Sequence, residues 1–472
     1  MRTLGVVLAL SLAPSVSASA QTPPPAGPLT LRTAVTLALD NYPAVRAALA
    51  NVQVSAAGVD LARTVYLPRA DVLYQMNRAT RNSITGLVLP QPVVAGISGG
   101  IGVNRNESVW GSAAGLLLNW EPFDFGARGA SVDTAESILR RSSASVEVTR
   151  LQIATAAAEG FLNVVATQQT LRAAAAAVDR ARVFYDVVSA RVQAGLRPGV
   201  DAERSRAELA QAETQRIIAE QNAEVARVIL AQYTRQRHDA IVVASGPLLD
   251  LPSPDVIASI AKQMPAAGGT VLPPQRHPLA VEQNAFVDES RARLRLFERS
   301  YFPRVNLLFS TSARGSGIRP DNTLKTGFGG LAPEIPNWAF GMNIVFPILD
   351  RAAVEARELG ERQRQLAETA RYDRVVADLE AQMGRAQTLL DGSQRAAANT
   401  PFQLAAAQAT HQQATARYQS GLSGIVEVAD AQRLLTQAEI DDSIAKLNVW
   451  RGLLLVATAD GSLDPFLQRV QP

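Results

Sequence analysis

The sequence contains no cysteine in its 472 residues. This absence excludes a disulfide scaffold, a cysteine nucleophile, a zinc site built on thiolates and an N-terminal cysteine that carries lipid. Histidine is almost as scarce, since only His238, His277 and His411 occur, far apart in the chain. Their spacing matches no metal site and no acid–histidine–nucleophile set, and no phosphate-binding P-loop motif is present. The sequence therefore predicts that the protein is not an enzyme and holds no metal or cofactor.

Charged residues are also few, at 19% of the chain, and the net charge is only +3. Lysine occurs three times, so 43 of the 46 basic residues are arginine. The basic residues form no dense stripe with interleaved aromatics, which makes nucleic acid a poor candidate partner. Hydrophobic residues make up 47% of the chain, enough for a large buried core and against a disordered chain.

The sequence has no apolar run long enough to cross a bilayer as a helix, which needs about 20 residues. A shorter apolar run over residues 4–12 follows Arg2 and precedes the small-residue pattern Ala18-Ser19-Ala20. This arrangement predicts a signal peptide over residues 1–20 and export of the chain. A buried N-terminal helix is the alternative. An exported chain without cysteine fits a bacterial envelope.

The chain repeats itself once, because four landmarks recur in the same order at nearly the same spacing. The paired landmarks, first copy before second, are Asn41-Tyr42-Pro43 with Arg276-His277-Pro278, Tyr66-Leu67-Pro68 with Tyr301-Phe302-Pro303, Trp120-Glu121-Pro122-Phe123 with Val345-Phe346-Pro347-Ile348, and Arg191-Val192-Gln193-Ala194-Gly195-Leu196 with Arg417-Tyr418-Gln419-Ser420-Gly421-Leu422. The sequence therefore predicts structural repeats over residues 21–238 and 275–460. A connecting segment over 239–274 joins them, and a tail over 461–472 follows.

Each repeat ends in a long helical pattern. Residues 127–194 and 352–420 are rich in alanine, glutamate, arginine and leucine, and Gly195 and Gly421 follow them as glycines follow helix ends. About 70 helical residues extend about 100 Å, far more than a globular domain needs. The sequence predicts two long antiparallel helical hairpins. The residue pattern of the second run is interrupted at Gly360, Gly384, Gly392 and Pro401. A free-standing coiled-coil bundle is the alternative.

The pattern changes to alternation between the helical runs. A helix predicted over residues 31–65 ends before Pro68, and strand patterns follow. In the clearest case, residues 338–346, large apolar residues at even positions alternate with mostly small or polar ones. Weaker alternation covers three further segments, residues 72–77, 113–120 and 305–312. A membrane β-strand shows this pattern, with lipid on one side and a polar lumen on the other. An ordinary antiparallel sheet in a soluble domain is the alternative.

Four strands cannot close a barrel, since a closed barrel needs about eight or more. Open edges in lipid would leave backbone groups unpaired. If the strands span a membrane, the protein must therefore oligomerise, and three chains would supply twelve strands. Long glycine-rich loops over residues 83–106 and 313–337, and tryptophans predicted near strand ends (Trp110, Trp120 and Trp338), favour a barrel.

With these features in this order, twice, the sequence resembles the TolC-like outer membrane efflux proteins over nearly the whole chain after the signal peptide. The resemblance rests on the duplicated landmarks, the two turns, and the strand ends Trp120-Glu121-Pro122-Phe123-Asp124-Phe125-Gly126 and Phe346-Pro347-Ile348-Leu349-Asp350. It implies a fold class dominated by α-helix with membrane β, in which a homotrimeric tube combines a long α-helical barrel with a twelve-stranded β-barrel. Some family members carry an acylated N-terminal cysteine, which this chain lacks.

The resemblance also implies a location and partners. The tube would lie in the outer membrane lipid of a Gram-negative bacterium and extend into the periplasm, where residues 239–274 and the tail would girdle the helices. It would mate with a periplasmic adaptor protein and an inner-membrane transporter of the RND, ABC or MFS type. The implied function is the exit duct of a tripartite efflux or type I secretion system, with an iris-like gate at the periplasmic end. A non-pore, coiled-coil structural or adhesin-like protein of the periplasm is the alternative.

The resemblance assigns the gate to the second turn. Glu427 and Asp430 are three residues apart and so share one helix face, which would give six carboxylates in a trimer. Family members carry acids at both positions, with aspartate where this chain has Glu427. The alternative is that both acids only complement the positive end of a helix dipole.

The resemblance also implies a latch between Asp201 on the first hairpin and Tyr418 on the second. The family's latch includes a basic residue two positions after the second glycine, where this chain has Ser423. Asp201 could instead form an ion pair with Arg197 or Arg204. The exposed tips that would meet the adaptor are Gly195, Leu196, Gly421 and Leu422, although turn chemistry alone accounts for the glycines.

Overall fold

The computed structural model describes residues 27–82, 104–261, 276–319, 321, 323–347 and 350–470. The helices within these residues, in chain order, are α1 Leu31–Asn41, α2 Pro43–Thr64, α3 Ala127–Gln193, α4 Gly199–Thr234, α5 Pro254–Ala261, α6 Pro278–Arg299, α7 Arg351–Gln419, α8 Ile425–Asp460 and α9 Asp464–Arg469. The strands are β1 Arg69–Asn82, β2 Asn104–Phe123, β3 Arg304–Ser316 and β4 Ile335–Val345. The predicted signal peptide and most of the predicted loop over 83–106 lie outside the described residues. The predicted helix-dominated fold with four strands is confirmed.

Two long hairpins make up most of the chain. Helix α3 has 67 residues and returns as α4, and α7 has 69 residues and returns as α8. Both turns use the same hydrogen bonds, since the Leu196 amide donates to the Arg191 carbonyl at 2.9 Å and the Leu422 amide to the Arg417 carbonyl at 2.8 Å. Such bonds need a left-handed residue after the helix, and Gly195 and Gly421 supply it with φ values of +71° and +79°.

One helix differs from the prediction, and proline chemistry accounts for the difference. The predicted helix over 31–65 is broken into α1 and α2 at Tyr42, because Pro43 lacks an amide hydrogen and forces the residue before it into extended geometry. In contrast, α7 continues through Pro401. Residues before and after this proline are buried, and their packing keeps the helix continuous. The Thr400 hydroxyl also donates to Asp442 of α8 at 3.0 Å.

The four strands form one antiparallel sheet in the order β1-β2-β3-β4. The register places the residues of the predicted apolar face in common rows across the sheet. Two such rows are Val72, Leu116, Thr311, Trp338 and, one step along, Ala70, Leu118, Phe309, Phe340. The opposite face is smaller and more polar, as in the row Leu73, Gly115, Ser312, Asn337. Val72 is 82% exposed and Trp338 is 76% exposed, so nothing in the described part of the chain covers the apolar face.

The strands of the second repeat extend beyond the prediction. Ladder bonds carry β3 to Ser316 and start β4 at Ile335, inside the predicted loop over 313–337. The remaining loop folds back on the sheet, since the Gly317 amide donates to the Trp110 carbonyl at 2.8 Å. Trp110 itself lies within β2 and not near a strand end, where it was predicted.

The main hydrophobic core lies beside the middle of α3 and the C-terminal half of α8, where Phe161 and Leu453 are fully buried. The described part of the predicted connecting segment packs there, because the Trp450 indole donates to the Asp250 carbonyl at 3.0 Å. The tail helix α9 also packs there through Phe466, 6.4 Å from the Trp450 ring. No helix in the described part of the chain is both long and apolar enough to cross a bilayer.

If the apolar sheet face meets lipid, the substitution Phe340→Arg, near the middle of β4, removes most of the protein from the outer-membrane fraction. An arginine on the lipid face near the bilayer midplane costs about 2–4 kcal/mol. The matched control is Gly341→Arg on the opposite face, where an added Cβ would meet no atom within 4 Å. Membrane fractionation with immunoblotting measures both variants, and equal loss of the two would contradict the assignment of faces.

Candidate functional site

The candidate site lies where the two hairpin turns meet. Near the turns, α3 packs against α7 and α8, and a buried apolar cluster joins the two hairpins. Its members are Phe184, Val188, Ala414, Tyr418, Ile425, Val428 and Ala431. The two turns are therefore held side by side at one end of the molecule.

Tyr418 is the centre of this cluster and is fully buried. Its ring lies 5.3 Å from the Phe184 ring, and the Arg197 guanidinium lies 4.6 Å above the Tyr418 ring centroid. Arg197 also donates to the Tyr418 carbonyl at 2.9 Å, and Arg191 donates to the Gln419 carbonyl at 3.1 Å. One aromatic residue of the second hairpin is thus enclosed by side chains of the first.

The structure brings the predicted latch residues Asp201 and Tyr418 together. Burial, and then the nearby Asp201 carboxylate, raise the pKa of Tyr418 above its ordinary value of 10.0. Across the described chain, however, the Tyr418 hydroxyl has no hydrogen-bond partner. The latch therefore rests on proximity rather than on a formed hydrogen bond.

The predicted gate acids are accessible. Glu427 lies in the first turn of α8, Asp430 lies in the next turn, and both are exposed. Asp430 is 3.8 Å from Arg433, which binds Glu208 of α4 more closely at 2.6 Å. The helix dipole also stabilises Glu427 at this position, so the dipole alternative and the gate are compatible.

The tip leucines are the most exposed part of the site. Leu196 and Leu422 are each 73% exposed, next to the glycines that form the turns. Ser423, in contrast, is buried, and its hydroxyl has no hydrogen-bond partner in the described chain. Leu196 and Leu422 are therefore accessible at the turns, and Ser423 is not.

Sequence reasoning missed the roles of Arg191, Arg197 and Phe184. Their partners lie more than 200 residues away, and no local pattern reports such a contact. One signal was available in the repeat itself. Arg197 follows Gly195 by two positions, as Ser423 follows Gly421, so the basic residue expected at the second turn stands at the first.

A cavity of about 350 Å³ adjoins the cluster between α3 and α7. His411 of α7 and Arg180 of α3 line it, and Arg180 binds both carboxylate oxygens of Glu439 at 3.1 and 2.9 Å. Burial, and then the positive charge of Arg180, lower the pKa of His411 below its ordinary value of 6.5. Within the described residues, no group of three or more histidine, aspartate or glutamate side chains could hold a metal ion.

The thermal stability of the protein is expected to fall between pH 7 and pH 5.5, partly through His411. The unfolded chain binds a proton at this residue more readily than the folded chain, so acid favours unfolding. His411→Gln should therefore show a smaller drop in Tm, measured by circular dichroism at 222 nm. His238→Gln is the control, because that side chain is exposed and lies 2.7 Å from Glu224, away from the cavity. An undiminished drop in the His411 variant would refute this contribution.

Comparison with known proteins gives one family. The family model for outer membrane efflux proteins matches residues 34–234 and 275–461. The chain is 24% identical over 360 residues to the pyoverdine export outer membrane protein OpmQ of Pseudomonas aeruginosa, which covers 76% of this chain and 71% of OpmQ. It is 26% identical over 378 residues to protein CyaE of Bordetella pertussis, and this match covers 76% of this chain and 71% of CyaE.

A solved structure shares the fold. The structure of CusC, described for its folding and transmembrane channel formation, superposes with a TM-score of 0.74 at 16% sequence identity. The match covers 92% of each chain.

Proposed function

Because the chain belongs to the outer membrane efflux protein family, we propose that three copies assemble into one duct across the outer membrane and the periplasm. The family membership that the duplicated landmarks indicated is confirmed. The function is that of an outer membrane efflux channel. The family is one of channel proteins that lie in the outer membrane of Gram-negative bacteria. The observation that carries the proposed assembly is a sheet with one exposed apolar face and two open edges.

The open edges support assembly through the strands. Within the described residues, β1 and β4 each pair on one side only. Lipid offers no hydrogen-bond partner for the free side, so a four-stranded sheet is unstable in a membrane by itself. Pairing β4 of one copy with β1 of the next removes both edges, and three copies supply twelve strands, enough to close a barrel.

The helices beside the sheet support the same arrangement. Helix α2 packs on α3, α3 on α6 and α6 on α7, so α2 and α7 lie at the two sides of the chain. Both outer helices carry exposed apolar side chains, Val54 and Leu61 on α2, and Leu359 and Leu366 on α7. A neighbouring copy on each side would bury these residues together with the strand edges.

We place the gate at the paired turns. In a trimer, Glu427 and Asp430 supply six carboxylates around one axis, and their exposure leaves them available to ions. Such a ring repels anions, favours cations and binds polyvalent cations that block the duct. Contact between Asp201 and Tyr418 favours the closed arrangement of the turns in this proposal.

The partners proposed for the duct follow from its tip. The exposed leucines, Leu196 and Leu422, stand on tight glycine turns and offer an apolar contact to a periplasmic adaptor. The adaptor links the duct to an inner-membrane transporter of the RND, ABC or MFS type, in a tripartite efflux or type I secretion system. The relative named as a pyoverdine export outer membrane protein supports an export role of this kind. A non-pore coiled-coil protein is not favoured, since it has no use for an exposed apolar sheet.

The gate is tested by replacing both acids, Glu427→Ala with Asp430→Ala. The doubly substituted channel should conduct more in planar lipid bilayers and should lose block by trivalent cations, because the carboxylates that bind them are gone. The control removes two acids of α4 away from the turns, half-buried Glu213 and exposed Glu220, as Glu213→Ala with Glu220→Ala, and should leave conductance and block unchanged. Conductance and block that stay the same without Glu427 and Asp430 would defeat the gate.

A further inference from the structure

Two arginines of the first hairpin bind the end of α7. Arg191 donates to the carbonyl of Gln419, the last residue of α7, and Arg197 donates to the carbonyl of Tyr418. The last carbonyls of a helix lack partners within the helix and carry the negative end of its dipole. A guanidinium adds positive charge and hydrogen-bond donors at this end. The Tyr418 carbonyl also accepts from the Gly421 amide at 3.1 Å, so Arg197 is its second donor.

Arg197 makes a second contact with the same residue. Its guanidinium lies 4.6 Å above the Tyr418 ring, whose neighbour in the cluster is Phe184 of the first hairpin at 5.3 Å. Ring and carbonyl of one residue are thus held by one side chain from the other hairpin. A planar guanidinium suits this combination of stacking and hydrogen bonding better than an ammonium group does.

We propose that Arg191 and Arg197 form a clamp through which the first turn holds the second turn in place. The clamp supplies from the first hairpin the positive charge that the second turn lacks at Ser423. Its hydrogen-bond acceptors are backbone carbonyls, so it does not depend on which side chains the second turn carries.

The clamp predicts how the turns separate. The second turn can move away from the first only if Arg197 leaves the Tyr418 ring and both arginines release the last carbonyls of α7. The Asp201 carboxylate, also close to Tyr418, remains with the arginines on the first hairpin. The consequence for channel opening rests on the gate proposed above, whereas the clamp itself is a contact within one chain.

The test is hydrogen exchange measured by mass spectrometry on the full-length protein in detergent. Arg197→Met keeps an apolar stem in the cluster but removes the charge and the donors. Amide exchange across residues 418–424 should become about tenfold faster, as expected for the loss of a hydrogen bond to a charged group. Arg191→Met should have a smaller effect in the same direction, and Arg197→Lys should lie between wild type and Arg197→Met.

The control is Arg206→Met, which removes an exposed arginine of α4 and should leave exchange across 418–424 unchanged. Unchanged exchange in a folded Arg197→Met protein would overturn the clamp. Conductance of the same variants separates the clamp from the gate. Faster exchange with raised conductance supports both, and faster exchange with unchanged conductance supports the clamp while counting against the gate.

Discussion

The backbone groups along the free edges of β1 and β4 constrain the rest of this structure. In lipid, each unpaired amide or carbonyl costs several kcal/mol. This cost is similar in size to the whole net free energy of unfolding of a small domain. An apolar sheet of four strands is therefore incomplete by itself, and in the proposed assembly further copies of the chain would complete it. The same step would cover the apolar sides of α2 and α7 and bring the far ends of the hairpins to one axis. In that proposal, pairing of the strand edges at one end sets the position of the proposed gate residues about 100 Å away.

The two copies of the repeat are alike at the sheet and differ at the hairpin turns. At the sheet, both copies supply strands with the same faces, so the two halves are close to equivalent. At the turns, the backbones match but the side chains diverge. The first copy has Arg197 and the second has Ser423 at the position two residues after the glycine. A duplicated backbone with unlike side chains allows one turn to hold the other, which two identical turns could not do in this way.

Much of this architecture could be predicted from the sequence, for physical reasons that act locally. Strand alternation over 338–346 reflects the two faces of the sheet, and Gly195 and Gly421 mark helix ends because the turn needs a positive φ. The effect of Pro401 could not be predicted, because packing against α8 offsets its missing hydrogen bond. The site was less predictable. Resemblance supplied Glu427, Asp430, Asp201 and Tyr418, but the partners of Tyr418 are set by how two hairpins pack, and no local pattern contains that information.

Closure of the sheet edges by pairing between three copies is tested by native mass spectrometry of the full-length protein, released from detergent micelles. One dominant species at three times the mass of a single chain is expected, and it should persist until heating unpairs the strands. A monomer as the dominant species, in a protein that retains its β-structure and conducts ions in bilayers, would contradict it.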